Sequence, residues 1–169
     1  MGEQTRKLLE ECSKGCKMAA ESIDQIREHI KDRKMQELVS GYRKKHRDLE
    51  READRLLAEE GEEEPQAGLA VSAMSWITTN VKLLIDESGS QIAKLLMDGC
   101  NMGIQGITEA QNRYKEASRE SRSLAEKLVK LEEQFSKDLK YIYRETALIS
   151  DMRSVLFSYA EILLKVIDF

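Results

Sequence analysis

Apolar residues recur every three to four positions through most of this chain, which is the period of an amphipathic α-helix. Residues 4–31 place Leu8, Leu9, Cys12, Ala19, Ile23, Ile26 and Ile30 on one face. Residues 33–60 do the same with Leu38, Val39, Tyr42, Leu49, Ala53, Leu56 and Leu57, and Asp32 stands where a helix N-cap is expected. The pattern stops at "GEEEPQAG" (61–68), whose two Gly, one Pro and acidic run mark a loop. "LAVSAMSWITTNVKLLID" (69–86) fits a short helix, weakened by the β-branched cluster Ile77, Thr78 and Thr79. After a break at "ESGS" (87–90), a helix over 90–115 turns Ile92, Leu95, Leu96, Ile107, Ala110 and Tyr114 inward. The next, over 118–145, presents Leu124, Leu128, Leu131, Phe135, Leu139 and Ile142. A last helix begins at Ser150.

The two long helical pairs resemble each other. At an offset of 84 residues, Gly15, Cys16, Met18 and Ile23 match Gly99, Cys100, Met102 and Ile107. At an offset of 86, Leu38, Tyr42, Leu49, Ala53 and Leu56 match Leu124, Leu128, Phe135, Leu139 and Ile142. Helical periodicity alone accounts for the apolar matches, but less readily for Gly-Cys-x-Met. The chain therefore reads as one all-α domain over 1–169: hairpin 4–60, long crossover 61–89, hairpin 90–145 and C-terminal helix 150–169. Gly15, Gly99, Gly103 and Gly106 fall inside helices at about 1 kcal/mol each relative to Ala. Their retention predicts close backbone approach, with the first helix crossing the 90–115 helix near Gly15 and Gly99; the simpler alternative is that they mark kinks.

Composition narrows the function classes. The chain has 169 residues, one proline and 34% charged residues, with a net charge of −4. That balance argues against nucleic acid as a partner. No apolar run approaches a membrane span, and "MGEQTRKLLEECSKG" has no signal-peptide core. Cys12, Cys16 and Cys100 are an odd number inside helical patterns, which reads as reduced thiols in a cytoplasmic protein. With one imidazole they are a weak zinc motif, and small buried hydrophobes are the ordinary reading. "YRKKHRDLER" (42–51) is interleaved with Asp48 and Glu50 and reads as a solvated face of ion pairs. No phosphate-binding loop and no nucleophile–base pattern has context, so no catalytic residue and no cofactor is expected.

Two hairpins joined by a long crossover, together with "AVSAMSWITTNVKLLID" and "LLMDGCNMGI", resemble the ferritin-like superfamily and, within it, degenerate rubrerythrin-like bacterial domains of unknown function. The resemblance covers residues 5–145 and implies an up-down four-helix bundle with a crossover helix and a C-terminal helix. The superfamily's di-iron chemistry needs a Glu on each of two helices and Glu-x-x-His on each of the other two. Here His46 is preceded at three residues by Arg43, and the later helix has Glu132 and Glu133 but no His. Only a remnant set can be collected: Glu21, His46, Gln105 and Glu132. His46 lies on an apolar stripe and reads first as a buried histidine satisfied by Tyr42 or Glu132, second as the centre of a mononuclear metal site.

The remaining signal is "DMRSVLFSYAEILLKVIDF" (151–169). As a helix it confines Arg153, Ser154, Ser158, Glu161, Lys165 and Asp168 to a narrow stripe and is apolar elsewhere. One apolar side can seal the bundle. The remainder, with Phe157, Tyr159, Leu163, Leu164 and Ile167, predicts a homodimer interface. The expectation is a non-catalytic bundle that works through contacts with an unidentified protein partner.

Overall fold

The computed structural model describes residues 2–59 and 89–167, with side chains at all of these except residues 147, 150, 151 and 161–167. The predicted loop 61–68 and the predicted helix 69–86 lie outside the described residues. Among the described residues the chain is all-helical, with α1 Glu3–Ile26, a 3-10 turn Arg27–His29, α2 Arg33–Ala58, α3 Gly89–Arg113 and α4 Arg119–Ile167.

Local chemistry sets the helix ends. Asp32 caps α2 as its spacing predicts, Oδ1 accepting from the Met35 amide at 2.8 Å. Ser118 caps α4, its Oγ accepting from the Ser121 amide at 3.2 Å. The α3–α4 turn is pinned to the start of α1: the Ser118 amide donates to Thr5 Oγ1 (2.8 Å) and the Glu116 amide to Gln4 Oε1 (2.9 Å).

Cross-helix contacts fix the directions. Ser13 donates to Asp54 and Arg43 to Asp24, so α1 and α2 are antiparallel. Tyr42 meets Asp138, His46 meets Glu132 and Glu52 meets Lys127, so α2 and α4 are antiparallel. Gly103 lies against Glu132 and Gly89 against Thr146, so α3 and α4 are antiparallel too. The four helices therefore run up, down, down, up.

The core divides into two apolar clusters. One end packs Ile23, Ile26, Met35, Val39, Tyr42, Ile92, Leu96, Phe135 and Leu139. The other packs Leu8, Leu9, Cys12, Cys16, Leu57, Ile107, Leu124 and Leu128. Between them lies a polar waist, and partly buried Leu131 packs against both clusters. The interleaved charges of α2 form ion pairs as predicted: Arg47 with Glu50 at 2.8 Å, and Arg51 with Asp48.

Two expectations are corrected. The break before Ser150 is absent, and α4 is one helix of 49 residues. No Gly or Pro interrupts it. Thr146, at the expected break, turns its hydroxyl onto the carbonyls of Ile142 (2.9 Å) and Tyr143 (3.1 Å), an arrangement an unbroken helix accepts. Nor do Gly15 and Gly99 mark a tight crossing. A Cβ on Gly15 would rest at ordinary contact distance from Ile107 (3.5 Å) and Leu128 (3.6 Å), and one on Gly99 would meet nothing within 4 Å. The tight approach is at Gly103, where a Cβ would sit 3.1 Å from Glu132 Oε1.

The cap supplies a direct check. Asp32→Ala leaves the Met35 amide without its side-chain acceptor and is expected to lower stability by about 1 kcal/mol in urea denaturation.

Candidate functional site

The waist is built around His46, which is fully buried, and Glu132, which is 5% exposed. The His46 Nδ1 atom is 2.8 Å from the Tyr42 backbone carbonyl, and Nε2 is 3.0 Å from Glu132 Oε1. A carbonyl only accepts, so Nδ1 carries a hydrogen and donates. The contact between Nε2 and Oε1 then requires one further proton, held either as imidazolium and carboxylate or as imidazole and carboxylic acid. In both forms the pair has zero net charge.

Aromatic packing holds this geometry. Phe135 presents its ring edgewise to His46, with centroids 6.5 Å apart. Tyr42 stacks on Phe135 at 4.2 Å, and Lys45 Nζ lies 4.2 Å above the Tyr42 ring. The Tyr42 hydroxyl donates to Asp138 Oδ2 at 2.6 Å. Burial, then the phenol's bond to Asp138, holds that hydroxyl well above the usual tyrosine range.

The three thiols are free and buried, and Cys16 and Cys100 lie near enough to Glu132 to feel its charge. Burial, then repulsion from Glu11, pushes the Cys12 thiol up to about 12. Cys16 is raised by burial and then by neighbouring Cys12 and Glu132. Cys100 is raised by burial, by the charge of Glu132 and by its own hydrogen bond to that residue. Such thiols stay protonated near neutrality, unlike activated nucleophiles.

The remnant ligand set is only partly assembled. His46 and Glu132 meet. Glu21 lies level with His46 in the antiparallel register set by Ser13–Asp54 and Asp24–Arg43, and its Oε2 is buried without a hydrogen-bond partner. Gln105 is exposed. Among the described residues no three His, Cys, Asp or Glu side chains converge on one point. Both ring nitrogens of His46 are already engaged, so these residues do not fit a pair of iron ions.

A cleft of about 260 Å³ opens beside the waist, between α1, α3 and α4. Gly15, Met18, Gly99, Met102, Cys100 and Glu132 are among its lining residues. The sequence signals it through Gly99-x-x-x-Gly103, a flat helical surface, but not through any contact that spacing alone discloses.

The second feature is the end of α4. Lys34 and Gly89, in the first turns of α2 and α3, meet α4 at Glu145 and Thr146. Beyond that level every residue from Met152 to Ala160 is exposed. Leu156 is 66% exposed and Phe157 69%, with Leu148, Ile149, Met152, Val155 and Tyr159 similarly open. Of the predicted interface, Phe157 and Tyr159 are thus exposed, while the side chains of Leu163, Leu164 and Ile167 lie outside the described residues. The expectation that one apolar side of this segment seals the bundle does not hold for Met152 to Ala160. No helix among the described residues is long and apolar enough to cross a membrane.

No protein-family model, curated protein or solved structure matches the chain.

Two outcomes follow from the waist. His46→Ala leaves a buried carboxylate without its partner and should destabilise the protein by about 3–5 kcal/mol in denaturant titration; Glu132→Gln, which can still donate to Nε2, should be milder. The thiols set a pH dependence. Below pH 9.0 they are protonated in both folded and unfolded chains, so their contribution is fully present. Above it the unfolded chain loses thiol protons that the folded chain retains, so stability falls with rising pH, for Cys12 until about 12. Urea midpoints on either side of pH 9.0, in the native chain and in Cys12→Ala, measure this.

Proposed function

We propose that this protein is a non-catalytic, ferritin-like helical bundle of the cytoplasm that acts through protein–protein contacts, and that it assembles as a homodimer through the end of α4. The observation that carries the reading is the set of exposed apolar side chains on α4, Leu148, Ile149, Met152, Val155, Leu156, Phe157 and Tyr159. Monomers rarely leave so large an apolar surface in water. Each large side chain covered is worth roughly 1.5–3 kcal/mol before association costs. A second copy of the same helix is the simplest cover, because a two-fold interface closes on itself.

The ferritin-like reading is supported by the up, down, down, up order and by the stretch between Ala58 and Gly89, long enough for a crossover. It is also supported by the repeat offset: His46 and Glu132 are 86 residues apart, and they touch. Equivalent positions of two antiparallel helices meet where a pseudo-two-fold axis passes between them. Buried, unpaired thiols suit a reducing compartment. Protonated thiols and a histidine with both ring nitrogens engaged support a role without catalysis.

One observation favours a second reading, a mononuclear metal site near His46. The buried Oε2 of Glu21 lacks a partner in the same layer as the His46–Glu132 pair. Elemental analysis separates the two, since a stoichiometric transition metal lost in His46→Ala would favour the second.

For the first reading, the test is the mass of the intact chain by light scattering at tens of micromolar. A dimer is expected. The double variant Leu156→Glu and Phe157→Glu, altering only exposed positions, is expected to be a folded monomer. A monomeric intact chain contradicts the proposal.

A further inference from the structure

The cleft between α1, α3 and α4 has no part in the contact proposed for α4. Its chemistry is specific. Most of its lining is apolar or glycine backbone, including Met18, Ile23, Leu96, Met102 and Ile107. Its volume of about 260 Å³ exceeds the ~150 Å³ apolar cavity that takes up benzene. Glu132 also lines it, buried to within 5% of full enclosure and held by His46. Gly103 lets that carboxyl group lie against the α3 backbone, since a Cβ there would press on it at 3.1 Å.

Charge selects the ligand class. The Glu132–His46 pair shares one proton and is neutral overall in either form. The other charged lining residues, Glu11 and Lys14, are ion-paired with each other at 3.7 Å. The lining thus offers no net charge to a cation or an anion, and burying an unpaired ion in it would be costly. It does offer hydrogen-bond acceptance, because a carboxyl group bonded to His46 retains lone pairs.

We propose that this cleft binds a small, uncharged, mainly apolar molecule carrying one O–H or N–H donor, its body against Met18, Met102 and Ile107 and its donor on Glu132.

The test uses the full chain and four probes of similar size: phenol, toluene, benzoate and benzylamine. Saturation-transfer NMR and titration measure binding to the native protein and to Gly99→Leu. That substitution sits where a Cβ meets nothing within 4 Å, so it fills the cleft and favours the helix. Circular dichroism verifies its fold. Phenol is expected to bind, toluene to bind about three- to tenfold more weakly for want of one hydrogen bond, and benzoate and benzylamine to give no signal. Gly99→Leu should abolish the phenol signal. Phenol binding unchanged in Gly99→Leu overturns the proposal, as does benzoate or benzylamine binding equal to phenol. Binding of none of the four probes, as when another part of the chain or a second copy covers the cleft, overturns it as well.

Discussion

A single shared proton between His46 and Glu132 sits where the two apolar clusters of this bundle meet. Burying two ionisable groups is unfavourable unless each finds a partner of good geometry. The neighbouring side chains meet that condition. Tyr42 contributes a backbone carbonyl to one ring nitrogen and an aromatic face to Phe135, which in turn borders the imidazole. Gly103 gives up its side chain so that α3 can approach the carboxyl group. The pair ties α2 to α4, one helix from each hairpin. An apolar pair of similar size could provide comparable stability, but it would not penalise a slipped register in the same way. Two apolar halves that slide past one another lose little, whereas a displaced His46 leaves a carboxyl group stranded.

Much of the fold was legible in the sequence. The helical period placed α1, α2 and α3 within a few residues, and Asp32 marked the start of α2 because its capping role is local. Local chemistry also misled. The sequence reading ends one helix at 145 and begins another at Ser150, yet no Gly or Pro stands there and the helix runs through unbroken. Helical glycine carries a cost that sequence can detect, but the neighbour responsible cannot be read from spacing. Gly103 answers to Glu132, while Gly99 opens onto a cleft.

The candidate site was partly legible for the same reasons. His46 on an apolar stripe had to find hydrogen bonds once buried, and Tyr42, four residues earlier, and Glu132, at the repeat offset, were natural sources. Gln105 matched Glu21 by offset, but its helical phase differs from that of inward-facing Ile107 and Ala110, and it faces water. The cleft depends on how three helices fail to fill the space between them, a property of packing that no single segment encodes. The exposed end of α4 is the reverse case: its composition declared it too apolar for a one-sided helix, and geometry then places Leu156 and Phe157 beyond the reach of α2 and α3.

Long-range proton–nitrogen correlation NMR of the full chain reads directly which nitrogen of His46 bears a proton. Nδ1 is expected to carry a hydrogen shielded from solvent exchange by its bond to the Tyr42 carbonyl, with that signal assigned by its loss in His46→Ala. A ring whose Nδ1 is bare and whose only hydrogen sits on Nε2 would overturn this arrangement of the waist, because the Tyr42 carbonyl would then face a lone pair.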